Sequence, residues 1–477
     1  MNSRKTALEI IMEVLENGRM SGEVIDEALR KKTKDANVTD ELAALSEKSF
    51  VLRLVKMTIE RAVTLDFIIE RKTDMAVKKM KPEIRSILRL SVCQLYYFDN
   101  RKEAVVDEAV NLSKDYYQGG FSGYVNAVLR NISENRPDVE LLIKNYQPVK
   151  RASIRYSMPE WITQHFFDEY GEKRTNRIFK EFLSQKDLCV RFCEKNLKKP
   201  VIEKTQNRNI QLCGIEAYMK LLKEAGIESR RGKYARDCLY IKNLKTIESL
   251  PGYKEGVFTV QDESSQLAVL VSGVKPGDNV LDVCAAPGGK TMYIACLAAE
   301  GSVTARDVNQ DKCGRIIANL ERMGIGNGHS ADGFAEVKVQ VRDALTENKD
   351  DFEKYDAVFA DLPCSGLGII GRKPDIKYRL KQQDLHELAL LQKKILSIVS
   401  GYVKKGGTLI FSTCTLNREE NEMNSEYLVK ELGLVPYDLS QCLPDYLKQT
   451  DGAKDGHIRL EPDKTGTDGF YISRYIK

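Results

Sequence analysis

At 477 residues the chain exceeds what one hydrophobic core organises, so two or three domains are expected. Its 42% hydrophobic and 30% charged residues exclude a disordered or fibrous polymer, and no apolar run approaches the roughly eighteen residues of a membrane span. A net charge of +5, from 74 basic and 69 acidic residues, is compatible with nucleic acid without demanding it. The opening MNSRKTALEIIMEVLENG reads as an amphipathic helix rather than a signal peptide, since Glu9, Glu13 and Glu16 interrupt any apolar stretch. Eleven cysteines without paired spacing imply a reducing cytosol and a cytoplasmic protein rather than a disulfide framework. Cys189 and Cys193, with Cys213, invite a zinc reading. There is no second pair at that spacing and the chain has only four histidines, so no metal is expected.

Residues 1–140 read as helical throughout. Apolar residues recur at helical spacing around Leu8, Ile11 and Val14, around Leu54, Val55 and Ile59, and around Ile84, Ile87, Leu88 and Leu95. Pro82 falls where a first helical turn tolerates proline. Periodicity alone gives only a helical bundle. The stretch KPEIRSILRLSVCQLYYFDNRKEAVVDEAVNLSKDYYQGGFSGYVNAVLRNI resembles the NusB-type RNA-binding domain, which implies RNA contact here. Arg71, Lys72, Lys78, Lys79 and Lys81 suit phosphates, although a solvated helix face would look the same. Pro137 and Pro148 mark 137–150 as a linker. Residues 151–250 mix helices with short strands such as Leu188–Phe192, and carry Arg230, Arg231, Lys233 and Arg236. They predict a small α+β module that helps hold substrate.

From 255 to 477 short β-branched runs alternate with helical stretches, with strands expected at 279–284, 302–307, 337–343, 356–361 and 408–414. That alternation predicts a mostly parallel sheet covered on both faces, a Rossmann-like α/β domain binding its ligand beyond the carboxyl ends of the strands. The first strand runs into VLDVCAAPGGKT. Gly289-Lys290-Thr291 imitates the end of a P-loop, but that motif needs glycine where Cys284 stands, and no G-x-G-x-x-G is present. What remains is a small-residue turn leading into a helix, where backbone can approach a ligand closely. Asp307, Asp343 and Asp361 follow at the next strand ends. A carboxylate at the second can accept both hydroxyls of a ribose, and one at the third can meet an adenine amino group. Three in succession after a glycine turn predict a nucleoside cofactor.

Two thiols join them: Cys364 in DLPCSGLG and Cys414 in FSTC, over the same pocket. Methylation at carbon 5 of a pyrimidine needs a thiolate, because that carbon is a poor nucleophile until sulfur adds to carbon 6. An acid such as Asp361 assists by protonating the ring nitrogen. Either thiol could attack. Amino-nitrogen methyltransferases carry an acid or amide, two prolines and an aromatic here, and Asp361-Leu362-Pro363-Cys364 departs from that pattern.

VQDESSQLA, LDVCAAPGGKT, DLPCSGLG, RKPDIKY, FSTCTLNREENE and TDGFYIS together resemble the bacterial RNA cytosine-C5 methyltransferases of the Sun family. The NusB-like start points to the branch acting on 16S ribosomal RNA. The resemblance spans essentially the whole chain and is weakest at 195–250. It implies three parts: an all-α domain at 1–140, a small α+β middle module at 151–250 and a methyltransferase domain at 255–477. It implies that S-adenosylmethionine is held by Cys284, Ala285, Ala286, Pro287, Gly288, Gly289 and Lys290 together with Asp307, Asp343 and Asp361. Cys414 would be the nucleophile and Cys364 would assist release. RNA would be the partner, with no DNA and no membrane, and the chain would act as a monomer. Arg306 departs from the family's apolar preference before Asp307, and the loop at 324–336 is about ten residues longer than usual. Three rivals follow from parts of this pattern: a tRNA substrate, DNA cytosine methylation through the Pro-Cys thiol, and a non-catalytic assembly factor built on the NusB-like domain. The presence of both thiols and all three strand-end acids speaks against the last.

Overall fold

The computed structural model describes residues 3–35, 41–197, 201–205, 208–242, 244, 246–328 and 333–477. The chain divides into two compact units, one of residues 1–184 with 370–382, the other of 185–369 with 383–477.

The first unit is helical: α1 (Ser3–Leu15), α2 (Ser21–Asp35), α3 (Glu41–Glu70), α4 (Pro82–Tyr97), α5 (Lys102–Lys114), α6 (Ser122–Glu134), α7 (Val139–Ile143), α8 (Pro148–Tyr156), α9 (Glu160–Tyr170) and α10 (Glu172–Phe182). The apolar stripes meet as their spacing predicts. Leu8, Ile11 and Val14 of α1, Leu54 and Val55 of α3, Ile87 and Leu88 of α4 and Leu129 of α6 form one buried core. Pro82 occupies the first turn of α4, where its missing N–H would have had no partner. The expected linker is instead built into this unit. Pro148 opens α8, and Ile143 and Ile154 close over Phe67 of α3. A proline that starts a helix and one that breaks a chain look alike without the tertiary partner. Lys78, Lys79 and Lys81 are exposed beside a short 3-10 turn.

The second unit opens with β1 (Leu188–Phe192), the hairpin β2 (Val201–Thr205) and β3 (Arg208–Leu212), α11 (Gly214–Glu224), β4 (Ser229–Arg231), β5 (Cys238–Ile241) and β6 (Phe258–Val260). Strands β4-β5-β1-β6 form one sheet, so residues beyond 250 complete the middle module. Its helices before 184 belong to the first unit. Of its basic residues, Arg230 lies 4.0 Å over the Tyr240 ring and Arg231 pairs with Glu216 at 2.8 Å.

Then come α12 (Glu263–Leu270), β7 (Asn279–Asp282), α13 (Gly289–Leu297), β8 (Ser302–Asp307), α14 (Gln310–Arg322), β9 (Glu336–Val341) and β10 (Tyr355–Asp361). The chain next enters the first unit through α15 (Ile376–Arg379), then returns as α16 (Gln382–Val399), β11 (Val403–Thr413), α17 (Glu422–Lys430), β12 (Val435–Pro436), β13 (His457–Leu460), α18 (Pro462–Thr465) and β14 (Phe470–Ile476). The sheet order is β12-β14-β11-β10-β7-β8-β9, with β13 also on β14. Strands β7 to β11 are parallel and β14 runs antiparallel to β11. Alternate residues feed opposite faces: Val280, Phe359 and Ile410 pack with α13 and α14, while Leu281, Val358, Leu409 and Phe411 pack with α16 and α17. Strand order reverses between β7 and β10, which opens a crevice at their carboxyl ends. No helix among the described residues is long and apolar enough to cross a membrane.

Candidate active site

The turn after β7 carries the predicted cofactor residues. Gly288 has φ +100, which favours glycine, and a Cβ there would lie 3.3 Å from Ile316. Its N–H donates to Ala285 O, and the Ala285 N–H donates to Arg306 O, so Cys284, Ala285, Ala286 and Pro287 are bound to the end of β8. Asp307 lies there, 5% exposed, accepting from Ala286 N at 3.0 Å and Val308 N at 2.8 Å, with Lys312 Nζ at 3.1 Å. Burial, then the charges of Asp307, Asp282 and Asp361, hold the Cys284 thiol far above its ordinary range, so it stays protonated.

Asp282, which sequence reasoning passed over as strand interior, ends β7 and is buried. Thr291 Oγ1 donates to its Oδ2 at 2.8 Å, and its Oδ1 is buried without a partner. Burial pushes this carboxyl up to about 7 against the pull of Thr291 and Lys290. An unsatisfied buried oxygen under a glycine turn, flanked by Asp307 and Asp361, fits a cationic nucleoside ligand. Asp343 lies two residues past the end of β9, its carboxylate accepting from Leu345 N at 2.9 Å. The strand expected to run to 343 stops at Val341. The long loop before it includes 329–332, which lie outside the described residues.

Lys290, at the start of α13, reaches across the crevice. Its Nζ donates to Asp361 Oδ2 at 2.6 Å and lies 5.2 Å from the Phe470 ring centroid. Ser412 Oγ donates to the other Asp361 oxygen at 2.7 Å. Asp361 is thereby fixed at the end of β10. Because β10 and β11 are in register, with Asp361 opposite Ser412, the thiols that follow them converge: Cys364 Sγ and Cys414 Sγ are 3.3 Å apart. Cys364 is held well above the ordinary thiol range, first by its hydrogen bond to Cys414, then by burial and by the charges of Cys414, Glu420 and Asp361.

Sequence reasoning also missed Glu420, Ser365 and Gln392. Glu420 is fully buried behind the two thiols and accepts hydrogen bonds from both other residues. One signal was present, since Glu420 falls within the NREENE segment six residues after Cys414. RKPDIKY, by contrast, lies in the first unit. Among the described residues no cluster could hold a metal ion. Cys189 lies 3.4 Å from Cys238 instead.

The arrangement can be set beside known proteins. A family profile described as 16S rRNA methyltransferase RsmB/F matches residues 269–476, and one described as NusB family matches 1–134. A probable ribosomal RNA small subunit methyltransferase B of Bacillus subtilis is 31% identical over 475 residues, covering 98% of this chain and 97% of its own. The ribosomal RNA small subunit methyltransferase B of Klebsiella pneumoniae is 29% identical, covering 100% and 98%. The solved structure of PH0851 shares the fold at TM-score 0.76 and 24% identity, covering 100% of this chain and 99% of its own. NSun6 from Pyrococcus horikoshii, solved with SFG, shares it at TM-score 0.54 and 19% identity, covering 66% and 97%. With a NusB-family start, a methyltransferase sheet and near end-to-end similarity, the chain belongs to the ribosomal RNA small subunit methyltransferase B family of S-adenosylmethionine-dependent enzymes.

Proposed function

We propose that the protein methylates carbon 5 of a cytosine in 16S ribosomal RNA through a covalent Cys414 adduct. The observation that carries this is the pair of thiols 3.3 Å apart beside the Lys290–Asp361 ion pair. Residues 284–290 with Asp307, Asp343 and Asp361 would hold S-adenosylmethionine, whose sulfonium supplies the methyl group.

The contact with Cys414, then burial, oppose ionisation of Cys364, and the two sulfurs lie 3.3 Å apart. Attack is assigned to Cys414, the role that the family resemblance implies for the thiol of the Thr-Cys motif. Its bond to carbon 6 pushes electrons to the ring nitrogen, which takes a proton from the Lys290–Asp361 pair, and carbon 5 becomes an enamine-like nucleophile. After carbon 5 has taken the methyl, its proton passes to the Cys364 sulfur as that thiol's own proton moves to Cys414, the Cys414–carbon 6 bond breaks, and the ring nitrogen returns its proton to the Lys290–Asp361 pair. Cys364 is placed to assist that release by giving its proton to the departing sulfur. Phe470 is buried beside Lys290, its ring centroid 5.2 Å from Nζ.

Cys364→Ala should attack and transfer the methyl but stall, leaving protein crosslinked to RNA on a denaturing gel. Cys414→Ala should form no adduct and methylate nothing, and the double variant should show no band. Adduct in Cys414→Ala alone would reverse the roles, and adduct in neither would end the covalent reading. Bisulfite sequencing of cellular RNA with and without the gene reads the substrate directly. A cytosine lost from tRNA rather than 16S RNA would overturn the ribosomal assignment.

A further inference from the structure

The loops bearing the two thiols share one buried carboxylate. Glu420 accepts from Ser365 N at 2.9 Å, Ser365 Oγ at 2.5 Å, Asn417 Nδ2 at 3.0 Å and Gln392 Nε2 at 3.0 Å. Ser365 follows Cys364 in the chain and Thr415 follows Cys414. Their hydroxyl oxygens are 2.6 Å apart. Ser365 has one O–H and gives it to Glu420, so Thr415 must donate to Ser365. The result is a directed chain, Thr415 to Ser365 to Glu420, linking one cysteine loop to the other. Gln392 extends it on one side by donating to Pro363 O at 2.8 Å, and Asn421 on the other by donating to Thr415 O at 3.1 Å.

A buried carboxylate is costly unless donors replace its water, and here four donors do so. Burial still pushes Glu420 above the usual carboxylate range, against the pull of Ser365, Asn417 and Gln392. Every partner offers a hydrogen, so only a group that accepts through both oxygens fits. An amide would turn an NH2 against at least one N–H. This requirement is stronger than packing alone would impose.

We infer that Glu420 is a positioning residue for methyl transfer, its carboxylate tying the loop after Cys364 to the loop after Cys414 so that the two sulfurs keep one spacing. The inference rests on the roles proposed above for the two thiols. A second consequence follows from charge. Glu420 is among the groups that oppose ionisation of Cys364, after the Cys414 hydrogen bond, burial and the charge of Cys414. Removing its charge should let Cys364 lose its proton at lower pH.

The test uses the full chain carrying Glu420→Gln, Glu420→Asp or Ser365→Ala. Glu420→Gln should lower kcat by about 30-fold or more while KM for RNA and the affinity for S-adenosylmethionine stay within about twofold, the signature of misplaced reacting groups. Glu420→Asp, which keeps the charge, should recover part of the loss. Ser365→Ala, which removes one hydroxyl and little volume, should lower kcat by about 3- to 10-fold with the same split. The second readout is alkylation of each thiol by iodoacetamide against pH, followed by mass spectrometry on free enzyme. In Glu420→Gln the Cys364 profile should move to lower pH. An unchanged kcat in either Glu420→Gln or Ser365→Ala would overturn the inference. So would a loss of cofactor and RNA binding in step with kcat, with the Cys364 profile unmoved. The alkylation needs no RNA, so it still reads Glu420 if the adduct experiments reverse the roles of the thiols.

Discussion

Asp282 and Asp307 close neighbouring strands, yet their surroundings differ. Both are buried, but Asp307 accepts from two backbone N–H groups and meets Lys312, whereas Asp282 has one donor. With its carboxyl near 7 when folded and about 3.9 when unfolded, both states carry the proton at low pH and neither does above 7. In between, the folded state alone retains it. The contribution is therefore complete below about pH 4 and is lost as pH rises to 7. Asp282→Asn keeps an acceptor for Thr291 and removes the titration. From pH 5 to pH 8 the ligand-free wild type should lose on the order of 3 kcal/mol relative to the variant in urea unfolding. A constant difference would show that Asp282 is charged throughout. Asp307, Asp361 and both cysteines were legible because strand ends can be read from β-branched runs. Asp282 was hidden by expecting β7 to run to 284. Glu420 was hidden because Glu419, Glu420 and Glu422 look alike until tertiary packing buries one of them.

Strands were read more securely than their limits. β8 falls as expected, but β11 starts at Val403 rather than 408. Lys404, Lys405, Gly406 and Gly407 carry no strand signal, and pairing with β10 shifts there, from Tyr355 opposite Val403 to Ala357 opposite Thr408. The Arg306 departure also finds its reason at this scale. From β8 its guanidinium reaches Asp351 at 2.7 Å and Gln340 at 2.9 Å, the pair being 7% and 1% exposed. Burial pushes Asp351 up, but hydrogen bonds from Arg306, Asn348 and Tyr355 prevail and bring it to about 2. An apolar residue at 306 suits the sheet only where no acid lies beneath. Arg306→Leu should cost about 3–5 kcal/mol in urea unfolding, because Asp351 is left charged and buried. Arg306→Leu with Asp351→Leu should recover most of that loss. The wild-type contribution of Asp351 is present above about pH 4 and fades as pH falls toward 2, a dependence the double variant should lack. If the single variant is as stable as wild type, the pair is not the reason for the arginine.

Across the whole molecule, the NusB-like domain and the methyltransferase sheet were legible, but the path between them was not. Residues 370–382 leave the second unit to be built into the first, where Lys377 is buried and donates to Glu60 O at 2.7 Å and Ser157 O at 2.6 Å. Nothing local in RKPDIKY records partners more than two hundred residues away, so the boundaries at 140 and 250 could not be placed from periodicity. Charge is likewise distributed in a way totals conceal. A net charge of +5 over 477 residues gives little general attraction for RNA, so affinity must come from local patches. Lys78, Lys79 and Lys81 are exposed within a four-residue stretch, in the NusB-family region and outside the catalytic unit. Replacing all three by glutamine in the full chain removes charge without touching the thiols or the cofactor turn. If each meets a phosphate, the plot of log affinity against log salt should become shallower by about 2, from roughly 0.7 to 0.9 per lost contact. RNA affinity at low salt should fall about tenfold or more while kcat at saturating RNA stays unchanged, because phosphate contacts position the substrate without taking part in bond making. Filter binding at several salt concentrations, with single-turnover methylation alongside, separates the two effects. An unaltered slope would mean that these lysines form only a solvated face, and a fall in kcat at saturation would mean that they act on the chemistry instead.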